Sequence, residues 1–246
     1  MLSKVAQPHF FLILFFGILV AIIGVAQSLV LIHFSVEEPP AFDPFLFQAF
    51  SGSFDIFFPF LTTLLALGLL PGDIASGLIR HYLTVPSSRR FLFNQYVLLS
   101  CQASGFLLAI YSLCLVATFC VTQSLWPSLS SLLWLGVLVL TPFAFLIIQL
   151  LLFSFYFLLH NRVGALATTL VLLFLIELLA GVSGLYSLLP TANTGFLSEW
   201  VFEWVNGFPP ENSAFLVGMG GVIVWNALLY TINLRLFSRL NLHALG

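Results

Sequence analysis

Apolar side chains fill six long stretches of the chain, at about 10–34, 54–71, 93–122, 129–159, 164–189 and 214–237, and polar residues gather in the short segments between them. Each stretch is continuously apolar and close to or above the roughly 20 residues that cross a hydrocarbon layer as a helix. A membrane barrel would show short alternating segments instead. An open sheet edge has no hydrogen-bond partner in lipid, so the pattern predicts six helices. The fourth stretch contains Thr141-Pro142, which predicts a kink, and its length predicts tilt or an interfacial end. The first runs from Phe10 to about Phe34, longer than a signal-peptide core and with no clean small-x-small site after it. It is read as a retained span.

Composition makes lipid the solvent. The chain is 61% hydrophobic and 7% charged, where a soluble domain is roughly a quarter charged. No polar stretch is long enough for a soluble domain. The expected fold class is therefore an all-α integral membrane protein, a single transmembrane domain over 1–246 with six transmembrane helices. Charge sets the orientation. Lys4, Arg80, Arg89, Arg90, Arg162, Arg235 and Arg239 all fall on one side of a six-span layout. Glu37, Glu38, Asp43, Asp55, Glu199, Glu203 and Glu211 fall on the other, with no basic residue among them. The positive-inside rule then places both termini in the cytoplasm.

Three of the seven basic residues sit in "GDIASGLIRHYLTVPSSRRF", residues 72–91. A topological signal needs only such charges, and that reading stands beside a more structured one. Pro71-Gly72-Asp73 reads as a helix start in which Asp73 caps free backbone N–H groups. Ile74, Leu78, Ile79, Tyr82 and Leu83 then recur at helical spacing up to Pro86, giving a short amphipathic helix over 72–83 on the cytoplasmic side.

This segment resembles the permeases of ABC type-2 exporters. The resemblance rests on Asp73, Gly77, Leu78, Leu83, Pro86, Ser88 and Arg89, and extends to the six-span layout, the inside termini and a longer external segment between spans five and six. The family's usual Glu is Asp73 here, the Thr that commonly follows the Gly is Leu78, and the Lys often found after the motif is replaced near Asn94-Gln95. The family's membrane-surface helix before span one has no counterpart in the nine residues before Phe10. The resemblance implies that 72–83 is a coupling helix seated in a separate ATPase subunit. Asp73, Gly77, Leu78, Arg80, Tyr82, Pro86 and Arg89 are the coupling candidates. It also implies a homodimer, or pairing with a related permease, and ATP and Mg²⁺ held by the partner. A Gly at position 77 would admit a partner backbone. Arg80, Arg89 and Arg90 would pair with acidic partner groups or with anionic lipid.

The chain itself offers no nucleotide site of the P-loop kind. The sole lysine is Lys4, outside any Gly-rich loop. His9, His33, His81, His160 and His243 show no H-E-x-x-H spacing and lie near span ends or in loops, so an intramembrane enzyme is the weaker alternative. A non-transporting accessory subunit of a membrane complex is the stronger one. Cys101, Cys114 and Cys120 show no CxxC pattern and read as inert thiols. No cofactor, metal or nucleic-acid signal is present.

Two further features bear on transport. Glu177 stands mid-span, where a charge costs at least about 2.5–3.5 kcal/mol. It lines a translocation route, or it is protonated and bonded to a neighbour such as Gln149 or Gln102. Ala180, Gly181, Ser183 and Gly184 after it fit close helix packing. In "FLSEWVFEWVNGFPP" the apolar residues include Trp200 and Trp204, while Glu199 and Glu203 share the opposite face. That pattern predicts an interfacial amphipathic helix on the outer side. The 28 phenylalanines and the scarcity of intramembrane charge point to a hydrophobic or amphipathic cargo, beside which a polar cargo stands as the alternative.

Overall fold

The structure, a computed structural model, describes residues 2–34, 45, 48–49, 57–84, 89–123, 131–179 and 212–240. The external helix expected around Glu199, Trp200, Glu203 and Trp204 lies outside these, as does Pro86. The described residues are almost entirely helical. In chain order they form α1 (Leu2–Phe34), α2 (Phe58–Gly68), α3 (Leu70–Ala75), α4 (Leu78–Thr84), α5 (Arg89–Gln123), α6 (Ser131–Leu159), α7 (Arg162–Leu179) and α8 (Asn212–Arg239). Five of the resulting segments are long and apolar enough to cross a membrane: His9–Phe34, Phe58–Ala75, Arg89–Gln123, Leu140–Leu159 and Leu216–Arg239. The chain is a multi-pass, all-α membrane protein. The fifth expected span, 164–189, overlaps α7, in which Arg162–Leu175 is a shorter apolar helix outside these five.

The bundle is built around α6, which packs against α2, α3, α5, α7 and α8. Of its most apolar stretch 78% is buried, against 28% for α1 and 22% for α8. Ala144, Phe145, Ile147, Ile148, Leu150, Leu152 and Phe153 of α6 are fully enclosed. Phe11, Phe15 and Ile22 on α1, and Leu216, Val217 and Val224 on α8, stand outward. In water those outward faces would be unstable, but lipid tails are as apolar as Leu, so van der Waals fit and hydrogen bonds set the packing. Fit is close between α1 and α5. A side chain at Gly24 would come within 3.0 Å of the Tyr111 carbonyl. Amides lock the centre: Gln149 donates to Ser104 Oγ (2.5 Å), and Asn233 of α8 donates to Leu150 O (2.8 Å).

The second span corrects the expectation for 54–71 and for a single helix over 72–83. It continues to Ala75 and is interrupted at Leu69, whose ψ of −107° leaves the helical region. Pro71, two residues on, has no N–H to carry the ladder across the break. The turn Ser76-Gly77 then separates α3 from α4, because Gly77 adopts φ +74°. That left-handed conformation is open to glycine at little cost and ends a helix.

Candidate functional site at the interrupted span

The interruption places three residues of α3, Pro71, Gly72 and Asp73, in the interior rather than in a cytoplasmic loop. Asp73 is 4% exposed and lies in the first turn of α3, whose N-cap is Leu69. Tyr96 of α5 donates its hydroxyl to Asp73 Oδ2, and His9 of α1 approaches the same oxygen through Nε2 at 3.1 Å. His9 is 5% exposed and Tyr96 fully buried. A carboxyl group taken out of water must be paired or hydrogen-bonded, and here two spans supply the partners. His9–Asp73 is the sole contact of a basic with an acidic side chain within 4 Å among the described residues.

Arg162 closes the site from a fourth element. Asn161 starts α7 by accepting the N–H groups of Val163 (2.9 Å) and Gly164 (3.3 Å), an N-cap that sets where Arg162 emerges. The guanidinium then donates from Nε to Pro71 O (3.2 Å) and from Nη2 to Gly72 O (2.6 Å). Arg89 acts likewise at the same end of the bundle. Its Nη1 donates to Ser238 O (2.7 Å) and Leu240 O (3.0 Å), satisfying the C-terminus of α8. Two of the arginines that mark orientation are thus also helix-end donors, with geometry a lysine would not reproduce.

The apolar face expected on 72–83 exists and is already covered. Ile74 and Ile79 are buried in the bundle's own core, with Tyr82 packed beside them. Burial, and after it the nearby Asp73 carboxyl, hold the Tyr82 phenol above its ordinary range. Leu78 is half-buried. Among the described side chains of the segment, Ala75, Ser76 and Arg80 face outward. Nothing lies within 4 Å of a side chain built at Gly77, so within this chain that glycine serves its backbone angle and not a close approach.

Of the predicted residues, the structure brings Asp73 and Tyr82 together, sends Arg89 to α8, and leaves Arg80 on the outer surface. Glu177 lies on α7, with its side chain outside the described residues. Of its two conceivable partners, Gln149 donates its amide to Ser104 and keeps a buried Oε1 that has no hydrogen bond, and Gln102 is exposed on α5. Sequence reading missed His9, Tyr96 and Arg162 as partners of this segment. A signal for one of them existed. His9 and Asp73 both stand at the end of an apolar run, on the same predicted side of the membrane.

Around the arrangement, the described residues contain no cluster of three or more His, Cys, Asp or Glu able to hold a metal. Its chemistry is that of attachment: one short helix fixed to α1, α5 and α7 at once. Compared with known proteins, the chain matches no family model and no curated sequence.

Proposed function

We propose that the chain is the transmembrane permease subunit of an ATP-driven exporter of the ABC type, with six spans and both termini cytoplasmic, resident in the cytoplasmic membrane. The observation that carries this reading is the attachment of α3. A pair of short helices lies between two long spans, with Ala75, Ser76 and Arg80 facing outward and Asp73, Pro71 and Gly72 bonded to three other helices. A partner that presses on α4 would move the ends of α1, α5 and α7 together, because the contacts between them are buried and short. In this reading the partner is a separate P-loop ATPase subunit that binds ATP and Mg²⁺, and the permease acts as a pair. Glu177 is the candidate for the translocation route, and the cargo class favoured is hydrophobic or amphipathic.

The test is co-purification in nanodiscs from the native membrane, with mass spectrometry of what is retained, followed by ATPase assay of the complex. The expected result is a stoichiometric P-loop ATPase whose stimulation falls severalfold in Arg80→Glu while the variant inserts normally. A complex without any ATPase, from which crosslinking at position 82 also recovers none, removes the exporter reading. It would leave the accessory-subunit reading in its place.

A further inference from the structure

The arginines at the basic end of the bundle divide by what they hold. Arg89 and Arg162 are spent on backbone carbonyls. Arg80, Arg90, Arg235 and Arg239 are exposed and have neither a hydrogen bond nor an ion pair among the described residues. The Asp73 carboxyl at this end is buried and already taken. Arg235 and Arg239 stand apart from the others in two ways. They are four residues apart on α8 and so share one face, where like charges repel unless a counter-charge sits between them. They also have no helix end left to cap. The Arg235 carbonyl accepts from Ser238 Oγ (2.8 Å), the Phe237 carbonyl from the Leu240 N–H (3.4 Å), and Arg89 holds those of Ser238 and Leu240. Arg89 thereby brings a third guanidinium to the residue before Arg239.

The same face of α8 sets the depth. Asn233 and Phe237 are buried against the bundle, whereas Leu228 (47% exposed) and Ile232 (40%) stand on the outward side with the two arginines. These four follow at steps of four, three and four residues, so they form one stripe. Apolar surface on it ends at Ile232, and Arg235 comes about 4.5 Å further along the axis. The apolar segment starts at Leu216, and roughly 20 residues cross the hydrocarbon layer, which puts Arg235 at its edge and Arg239 in the headgroup layer. We propose that this end of α8 binds an anionic phospholipid. Its phosphate is held by Arg235 and Arg239 with Arg89 beside them, and an acyl chain lies along Ile232 and Leu228. Charge complementarity selects an anion, and depth selects a lipid: a soluble partner can reach Arg80 on α4, but a guanidinium one turn from Ile232 faces the phosphate layer. Arginine suits this ligand because its planar fork meets phosphate oxygens two at a time. The inference does not rest on the exporter reading, since an accessory subunit would carry the same site.

The test uses the full chain in phosphatidylcholine vesicles with a minor share of phosphatidylglycerol. In a background with Cys101, Cys114 and Cys120 replaced by Ala, a fluorophore is attached at Leu228→Cys. A control carries it at Val171→Cys, on the exposed face of α7. Quenching by phosphatidylglycerol with a nitroxide on its acyl chain is compared with quenching by phosphatidylcholine carrying the same group. The native arginines should give a roughly tenfold preference for phosphatidylglycerol at 228 and none at 171. Arg235→Gln combined with Arg239→Gln should lower it to about twofold or less, and Lys at both positions should keep part of it. Neither arginine has a bond within the chain to lose, so the melting temperature should not change. Both leaflets carry the same lipids, so the result is independent of orientation. Equal quenching by the two lipids at 228, an equal preference at 171, or a preference unchanged in the Gln double variant each overturns the proposal. So does crosslinking from position 235 in the native membrane that recovers an acidic protein in place of lipid.

Discussion

Two tyrosines on α5 do the same job at opposite ends of the bundle with different partners. Tyr111 donates to the Gln27 carboxamide of α1 (2.6 Å) and lies 3.2 Å from Ala49 O, to which Gln27 also donates (3.0 Å). Tyr96, about 22 Å away along the helix, donates to Asp73, which His9 also approaches. The first ring is neutral and leans on aromatic packing, with Phe58 edge-on to Tyr111 at 5.1 Å and stacked on Phe145 at 6.0 Å. The second sits at an interrupted helix, contains ionisable groups, and has an arginine on the adjacent carbonyls. Neutral bonds are modest and forgiving, whereas a buried carboxyl group is held only while every partner stays in place. One end is a fixed clamp. The other makes the position of α3 depend all-or-none on α1 and α5, and it is the end that also presents α4 outward.

The sharpest way to break this contrast is Asp73→Ala. It strands His9 and the Tyr96 hydroxyl in a buried site, and removing one member of such a pair costs about 3–5 kcal/mol. Thermal unfolding in mixed micelles should show this as the largest loss of any single substitution at either end. Asp73→Asn, which keeps an acceptor for Tyr96, should recover part of it. If Asp73→Ala costs no more than Tyr111→Phe, the two ends are energetically alike and the contrast fails.

The reason Asp73 escaped a correct reading from sequence is instructive. Apolar runs located these helices to within a few residues: 93–122 against Arg89–Gln123, 129–159 against Ser131–Leu159, and 214–237 against Asn212–Arg239. Those limits depend on composition, which a window of sequence contains. Pro71-Gly72-Asp73 also marked a helix start correctly, since α3 begins at Leu70 with Pro71 in its first turn. Which side of the membrane surface that start lies on is not local information. The Asp could cap its own helix, as read, or reach a His 64 positions earlier, as found. Short amphipathic patterns share this limit: Ile74 and Ile79 signalled a covered face, and what covers it proved to be the chain's own core.

A finer comparison sets the two tyrosines side by side. Tyr96→Phe removes a hydrogen bond to a carboxyl group, worth about 1.5–3 kcal/mol when that group is charged, and Tyr111→Phe removes one to a neutral amide, worth about 0.5–1.5 kcal/mol. Unfolding measured in the same micelles should rank them in that order. In the double variant the losses should add to within about 0.5 kcal/mol, because the sites share no partner. A strong coupling between them would mean that α5 transmits strain from one end to the other, and would turn two independent clamps into one device.

The most local expected effect concerns the link between the attached helix and the outward one. Gly77 holds φ +74° with open space around it, so Gly77→Ala meets no neighbour and pays only for the left-handed backbone, about 1–2 kcal/mol. Gly77→Asn should cost less, since Asn tolerates that region. Because α3 stays bonded through Asp73 and Arg162, the strain is relieved on the α4 side. The change should therefore appear as faster amide exchange over Leu78–Thr84, with the Asp73 end unchanged. If exchange instead accelerates equally at His9 and Tyr96, then α3 and α4 open as one unit, and the attachment site and the outward surface are not separable parts.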